Sequence, residues 1–178
     1  MVRYDLVIYG ASGFTGQYVV EYLHKAAVEH GLSWAVAGRD EGRLKAALTR
    51  TGEVVGEDLS GIPTIICDSS DSDSLKAMAS QAKVVLNCVG PYRFYGEPVV
   101  EACVEAGTSH VDISGEPEYL EKMQLKYHEV CNTSMYRSTC NKVLLSRKPQ
   151  RRGFISLELV GLIPSQVRPL VFFIALRL

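Results

Sequence analysis

Seven residues near the N-terminus constrain this chain more than any others: Gly10-Ala11-Ser12-Gly13-Phe14-Thr15-Gly16. They follow the apolar run Tyr4–Tyr9 and lead into a segment of helical period, with Val19, Val20, Leu23 and Ala27 on one stripe before Gly31. A strand, a GxxGxxG turn and a helix in that order make a phosphate cradle. Glycine allows the sharp turn, lets phosphate reach the backbone amides, and lets helix and strand pack closely. The helix N-terminus then offers free N–H groups and partial positive charge to a pyrophosphate. All seven residues, Gly10, Ala11, Ser12, Gly13, Phe14, Thr15 and Gly16, are therefore candidate cofactor-binding positions.

The next 120 residues repeat the pattern of a short β-branched run followed by a longer helical segment. Expected strands are Trp34–Ala37, Thr64–Cys67, Val84–Val89 and His110–Ile113. Between them lie a helix marked by Leu44, Ala47 and Leu48, a helix over Ser74–Gln81, and a helix over Glu97–Ala106 with Pro98 as its first helical residue and Gly107 at its end. Pro117 opens a last helix through about Val130. About five such units predict an α/β fold, a doubly wound parallel sheet with helices on both faces.

Strand two indicates which dinucleotide. NAD-binding versions of this arrangement end the second strand in an acid that bonds the ribose 2′-hydroxyl. Here Trp34-Ala35-Val36-Ala37 runs into Gly38-Arg39. A guanidinium at that place suits a phosphate monoester, so the expected cofactor is NADP rather than NAD, with Arg39 on the 2′-phosphate and Arg43 assisting. The competing reading makes Arg39 a solvated residue and leaves Asp40 to cap the next helix. Asp68, closing strand three, is placed to accept from an adenine amino group, to cap a helix, or both. Asn87-Cys88-Val89-Gly90-Pro91-Tyr92 closes strand four, the edge that passes beneath the cofactor's ribose and nicotinamide. Cys88, Val89, Gly90 and Pro91 join the candidate site there, Gly90 allowing close approach and Pro91 fixing the turn.

Other reactive side chains receive structural readings. No sequence neighbour activates Cys88, which reads as a small buried hydrophobe rather than a nucleophile. His110 and Asp112 share one face of strand five and are expected to be structural. His24, His30 and His128 lack metal-ligand spacing and are expected on the surface. Five cysteines without a CxxC pair indicate neither a disulfide framework nor a zinc site. None of the nine tyrosines has lysine four residues later, which removes the Tyr-x-x-x-Lys pair of short-chain dehydrogenases.

Charge divides the chain. Residues 131–178 hold eight Lys/Arg against Glu158 alone, leaving eleven Lys/Arg and nineteen Asp/Glu before them. The basic residues there lack aromatic platforms, so nucleic acid is not an expected partner. The expected domains are accordingly a cofactor domain over 1–130 and a poorly defined basic tail over 131–178. Within the tail, Ile155–Leu159 alternates as an edge strand would, and the final apolar run is far too short to span a bilayer. The start of the chain lacks the pattern of a signal peptide, and a non-secreted protein on the cytosolic side is expected.

Taken together, GASGFTG at Gly10–Gly16, WAVAGR at Trp34–Arg39, LNCVGPYRFYGEPVVEAC at Leu86–Cys103, DISGEPEYLE at Asp112–Glu121 and MQLKYHE at Met123–Glu129 resemble the saccharopine dehydrogenase-like oxidoreductases. The resemblance covers about residues 1–129. It implies a Rossmann domain binding a nicotinamide dinucleotide, and an association with lipid droplets, mitochondria or another membrane. It also implies kinship with enoyl reductases of glycolipid synthesis and with enzymes that reduce an imine. After Glu129 the family's sixth strand, GFDSIP-like motif and large substrate domain are missing, so a truncated isoform or a mispredicted gene product is expected, with its catalytic residues unassigned. Two functions follow from the resemblance: an NAD(P)-dependent oxidoreductase represented by its cofactor domain, or a dinucleotide-binding module without turnover that acts as a lipid-associated partner.

Overall fold

The computed structural model describes residues 3–132; the basic region beyond, including the expected edge strand at Ile155–Leu159, lies outside the described residues. Five strands, β1 (Tyr4–Tyr9), β2 (Trp34–Gly38), β3 (Thr64–Ile66), β4 (Ala82–Asn87) and β5 (Ser109–Asp112), alternate with five helices. The helices are α1 (Phe14–His30), α2 (Glu41–Val55), α3 (Ser72–Ser80), α4 (Tyr92–Ala106) and α5 (Pro117–Asn132). The strands form one parallel sheet in the order β3-β2-β1-β4-β5. The chain reverses its direction of winding between β1 and β4, and the crevice beyond their C-terminal ends is where such sheets bind ligands.

Alternation along the strands builds two apolar layers. Leu6, Ile8, Val36, Val84 and Leu86 face α1 and α2, meeting Val19, Val20, Leu23, Leu44 and Leu48. Val7, Tyr9, Ala35, Ala37 and Val85 face α3 and α4, meeting Leu75, Met78, Val99 and Cys103. A third cluster of Tyr92, Val100, Tyr119, Met123 and Tyr127 joins α4 to α5. Because β1, β2 and β4 are covered on both faces, they read as near-continuous apolar runs.

Two expectations need correction. Helix α4 begins at Tyr92, not at Glu97, and Pro98 sits inside it rather than at its start. An interior proline forgoes one backbone hydrogen bond, but the earlier start buries Tyr92, Gly96, Val99 and Val100 on one stripe. The first N–H groups of α4 are capped by Glu116, 24 residues away, a signal that local sequence does not carry. His24 is buried rather than on the surface, its Nε2 lying 2.9 Å from a Glu57 carboxylate oxygen. The apolar stripe of α1 is one position wider than its aliphatic residues mark. His30 is exposed as expected.

Element ends also shift by one or two residues. Strand β4 stops at Asn87 because the Asn87 side-chain oxygen takes the Val89 N–H at 2.9 Å and turns the chain out of the ladder. Helix α3 begins at Ser72 because Asp71 caps it, accepting from Asp73 and Ser74 N–H at 3.1 and 3.2 Å.

Candidate functional site

The glycine turn is built as its spacing requires. Gly10 has φ +87°, and its N–H donates to the Ala37 carbonyl at 2.8 Å, which ties the end of β1 to the end of β2. A Cβ on Gly10 would stand 2.7 Å from Val89 Cγ2 and 3.2 Å from the Cys88 carbonyl carbon. The first glycine is thus where the turn after β1 presses against the turn after β4. A Cβ on Gly16 would run into the Gly10 carbonyl oxygen and the Ala11 backbone, so the third glycine lets α1 sit directly on the loop. Gly13 is exposed and extended at the N-cap of α1.

Of helices α1 to α4, three have first-turn N–H groups taken by a carboxylate. Asp40 accepts from Arg43 N–H at the start of α2 at 2.9 Å, Asp71 caps α3, and Glu116 caps α4. Helix α1 has no side-chain cap and no acid in its first turn. Its N-terminal donors open on the crevice, the condition for binding an anionic group from outside the chain. The cradle therefore fits a pyrophosphate, and the same test rejects the other three helix ends.

A cleft of about 670 Å³ runs across the C-terminal ends of the strands. It brings together Gly10, Ser12, Gly13, Phe14, Thr15, Arg39, Asp68, Cys88, Val89 and Gly90 from the sequence-derived set. Three members do not line it. Ala11 is buried in the core beside α1, Gly16 is buried beneath the loop, and Pro91 is exposed at the head of α4, where the Gly90–Pro91 peptide is cis. Arg43, expected to assist Arg39, also lines the cleft, as do Gly38 and Asp40.

Tyr9, like Gly38 and Asp40, is a lining residue that motif reading did not assign to the site. It is the last residue of β1, its ring buried on the α3 side, and burial pushes its hydroxyl pKa up to about 12. At neutral pH it is an uncharged wall of the cleft. The available signal was its place immediately before the first glycine.

Arg39 is exposed, with Nε 3.8 Å from one Asp68 carboxylate oxygen. The other Asp68 oxygen accepts from Ser70 N–H at 2.8 Å and Ser70 Oγ at 2.7 Å. These bonds, with Arg39 contributing less, hold the Asp68 carboxyl below its usual range and keep it ionised. Asp68 does not cap α3; that role belongs to Asp71. Asp40 does cap α2, yet this does not remove Arg39 from the cleft.

The groups beneath the far end of the cleft are protonated or engaged. Burial, with the Asp112 charge adding to it, raises the Cys88 thiol to about 12, so it is a thiol and not a thiolate at neutral pH. The Tyr92 hydroxyl donates to the Asn87 carbonyl at 2.9 Å, and burial raises its pKa. His110 is buried, its pKa lowered by desolvation, with Nδ1 3.9 Å from Asp112. Asp112 is itself held by Ser114 N–H at 3.0 Å and the Tyr119 hydroxyl at 2.8 Å. His110 is thus a buried residue of β5, and Asp112 ties the end of β5 to α5 through the Tyr119 hydroxyl.

Comparison with known proteins places this geometry. Residues 6–135 match the family model of the saccharopine dehydrogenase NADP binding domain. A lipid droplet localized protein of Caenorhabditis elegans is 59% identical over 127 residues, 71% of this chain and 30% of that protein. A saccharopine dehydrogenase-like oxidoreductase of Homo sapiens is 53% identical over 132 residues, 71% of this chain and 31% of that one. The chain thus spans under a third of the length of either relative. Among solved structures, apo saccharopine dehydrogenase (L-Glu forming) from Saccharomyces cerevisiae superposes with a TM-score of 0.52 at 20% identity. It covers 67% of this chain and 24% of that one, a likeness of fold.

Proposed function

Because the chain belongs to the saccharopine dehydrogenase-like family, through that family's NADP-binding domain, we propose that residues 1–130 bind NADPH along the cleft above β1 and β4. The pyrophosphate lies on the uncapped N-terminus of α1, cradled by Gly10, Ala11, Ser12, Gly13, Phe14, Thr15 and Gly16. Ala11 and Gly16 contribute backbone shape rather than surface. The single observation that carries this reading is that α1, alone among α1 to α4, keeps its first-turn donors free of a carboxylate while its loop glycines exclude side chains.

Arg39 takes the 2′-phosphate by releasing Asp68, and Arg43 on the first turn of α2 supplies a second cation. Asp68, ionised, is left to accept from the adenine amino group. Cys88, Val89 and Gly90 floor the nicotinamide end, and Pro91 fixes their turn. When bound, the nicotinamide supplies hydride chemistry; this chain binds and orients it.

In the longer proteins of this family we infer an oxidoreductase. For this chain a second reading, binding without turnover, is favoured by one observation. Two residues either side of Gly90 in the chain, Cys88 is a thiol raised to about 12 and the Tyr92 hydroxyl already donates to a carbonyl, and neither is poised for proton transfer at neutral pH. The name of the nematode relative supports a lipid-droplet surface as the setting, and among the described residues no helix is long and apolar enough to cross a membrane.

The test is a fluorescence titration of the 178-residue chain with NADPH, followed by assay for its consumption with imine and enoyl substrates. Saturable binding without consumption supports the module; consumption supports the reductase; absence of binding refutes both.

A further inference from the structure

Helix α4 starts five residues beyond the end of β4, and Cys88, Val89 and Gly90 of the intervening turn form the wall of the cleft that faces the glycine loop. Most of the turn's own bonds are local. The Cys88 N–H donates to the Tyr9 carbonyl at 2.8 Å, Val89 N–H to the Asn87 side chain, and the Tyr92 hydroxyl to the Asn87 carbonyl. Its far end is fixed from elsewhere. Glu116, half-buried in the loop between β5 and α5, accepts from Tyr92 N–H at 2.7 Å and from Arg93 N–H at 2.9 Å, one bond to each carboxylate oxygen. Bonds of this kind, charge-assisted and paired, are short and directional.

Glu116 is in turn held in place. Its N–H donates to Ser114 Oγ at 3.1 Å, Ser114 N–H donates to Asp112, and Asp112 accepts from the Tyr119 hydroxyl. The Tyr119 ring packs on Tyr92 with centroids 5.6 Å apart. The loop after β5 is therefore a rigid bracket on the head of α4. Because the turn touches Gly10 with no room for even a methyl group, a shift of α4 changes the width of the cleft at Val89. The adenosine end, at Arg39 and Asp68, makes no contact with this bracket.

We propose that Glu116 is a positioning residue for the nicotinamide half of the bound dinucleotide. It acts by pinning the α4 N-terminus and thereby the Val89–Gly90 wall, and it also denies that helix end to phosphate. The proposal deepens the dinucleotide-binding reading and rests on it.

The experiment measures affinities of the full chain, Glu116→Ala and Glu116→Gln for NADPH and for 2′,5′-ADP, which carries only the adenosine half. Removing both acceptor oxygens is expected to weaken NADPH about tenfold, the effect of roughly one lost charged hydrogen bond. Binding of 2′,5′-ADP stays within about twofold, and Glu116→Gln, which keeps one oxygen, falls between. A merely structural role would weaken both ligands in parallel with the loss of Tm. Parallel weakening, or unchanged NADPH affinity, overturns the proposal. If Glu116→Ala does not fold, Glu116→Gln decides by the same comparison. Failure of the unsubstituted chain to bind either ligand overturns the dinucleotide reading itself, a result distinct from the other two.

Discussion

Replacing Gly10 by alanine separates backbone strain from packing at the mouth of the cleft, because Gly31 supplies a matched control. Both glycines have positive φ, +87° and +64°, and both must pay about 1–2 kcal/mol when given a Cβ. At Gly31 the new methyl meets nothing within 4 Å, whereas at Gly10 it lies 2.7 Å from Val89 Cγ2 and 3.2 Å from backbone. Displacing Val89 adds about 1–3 kcal/mol of overpacking. At about 2–4 °C per kcal/mol for a chain of this length, Gly31→Ala should lower Tm by a few degrees and Gly10→Ala by about twice as much. Saturating NADPH should restore stability to Gly31→Ala as it does to the parent, by about 2.7 kcal/mol at 100 Kd, and much less to Gly10→Ala. Differential scanning fluorimetry with and without NADPH reads both. Equal destabilisation and equal rescue in the two variants would refute the claim that the two turns meet at Gly10.

Three further outcomes are expected. Asp71→Ala, which removes the α3 cap, should cost about 1 kcal/mol in urea denaturation without altering NADPH affinity. Gly96→Ala should destabilise by about 1–3 kcal/mol in the same assay, since its Cβ would enter the Tyr119 ring in the α4–α5 packing. Glu97 bridges α4 to α5 through Lys122 at 2.6 Å and Lys126 at 2.7 Å, and those bonds lower its pKa in the fold from the ordinary 4.5. A lowered carboxylate contributes stability above its unfolded pKa and loses it as pH falls through the folded value. Stability should therefore decline below about pH 4.5, and Glu97→Gln should flatten that part of the profile in pH-dependent denaturation.

The alternation of apolar runs and helical stripes made the sheet and its two helix layers legible, because β1, β2 and β4 are buried on both faces and carry unmixed aliphatic runs. The glycine loop was legible because Gly10 and Gly16 stand where no side chain fits, a constraint that local sequence expresses fully. What escaped were effects of residues distant in the chain. The start of α4 at Tyr92 depends on Glu116, so Pro98 offered a plausible local start that the fold overrides. His24 looked like a surface residue because its partners, Glu57 and Trp34, arrive from other elements. Asp68 had the residue type and place to cap α3, but the geometry of the loop gives that cap to Asp71, three residues on. Tyr9 carried no motif, only its place at the end of β1.

Arg39 stands where NAD sites carry an acid, and the proposed preference of the cleft for a 2′-phosphorylated dinucleotide rests on it. The most direct measurement is thermal stabilisation of the full chain and of Arg39→Ala by NADPH and by NADH at matched concentrations. NADPH should stabilise the parent more than NADH does, and the margin should vanish in Arg39→Ala while a residual effect of either nucleotide persists through the α1 N-terminus. Equal stabilisation of the parent by both nucleotides, or a margin that survives in Arg39→Ala, would contradict the account.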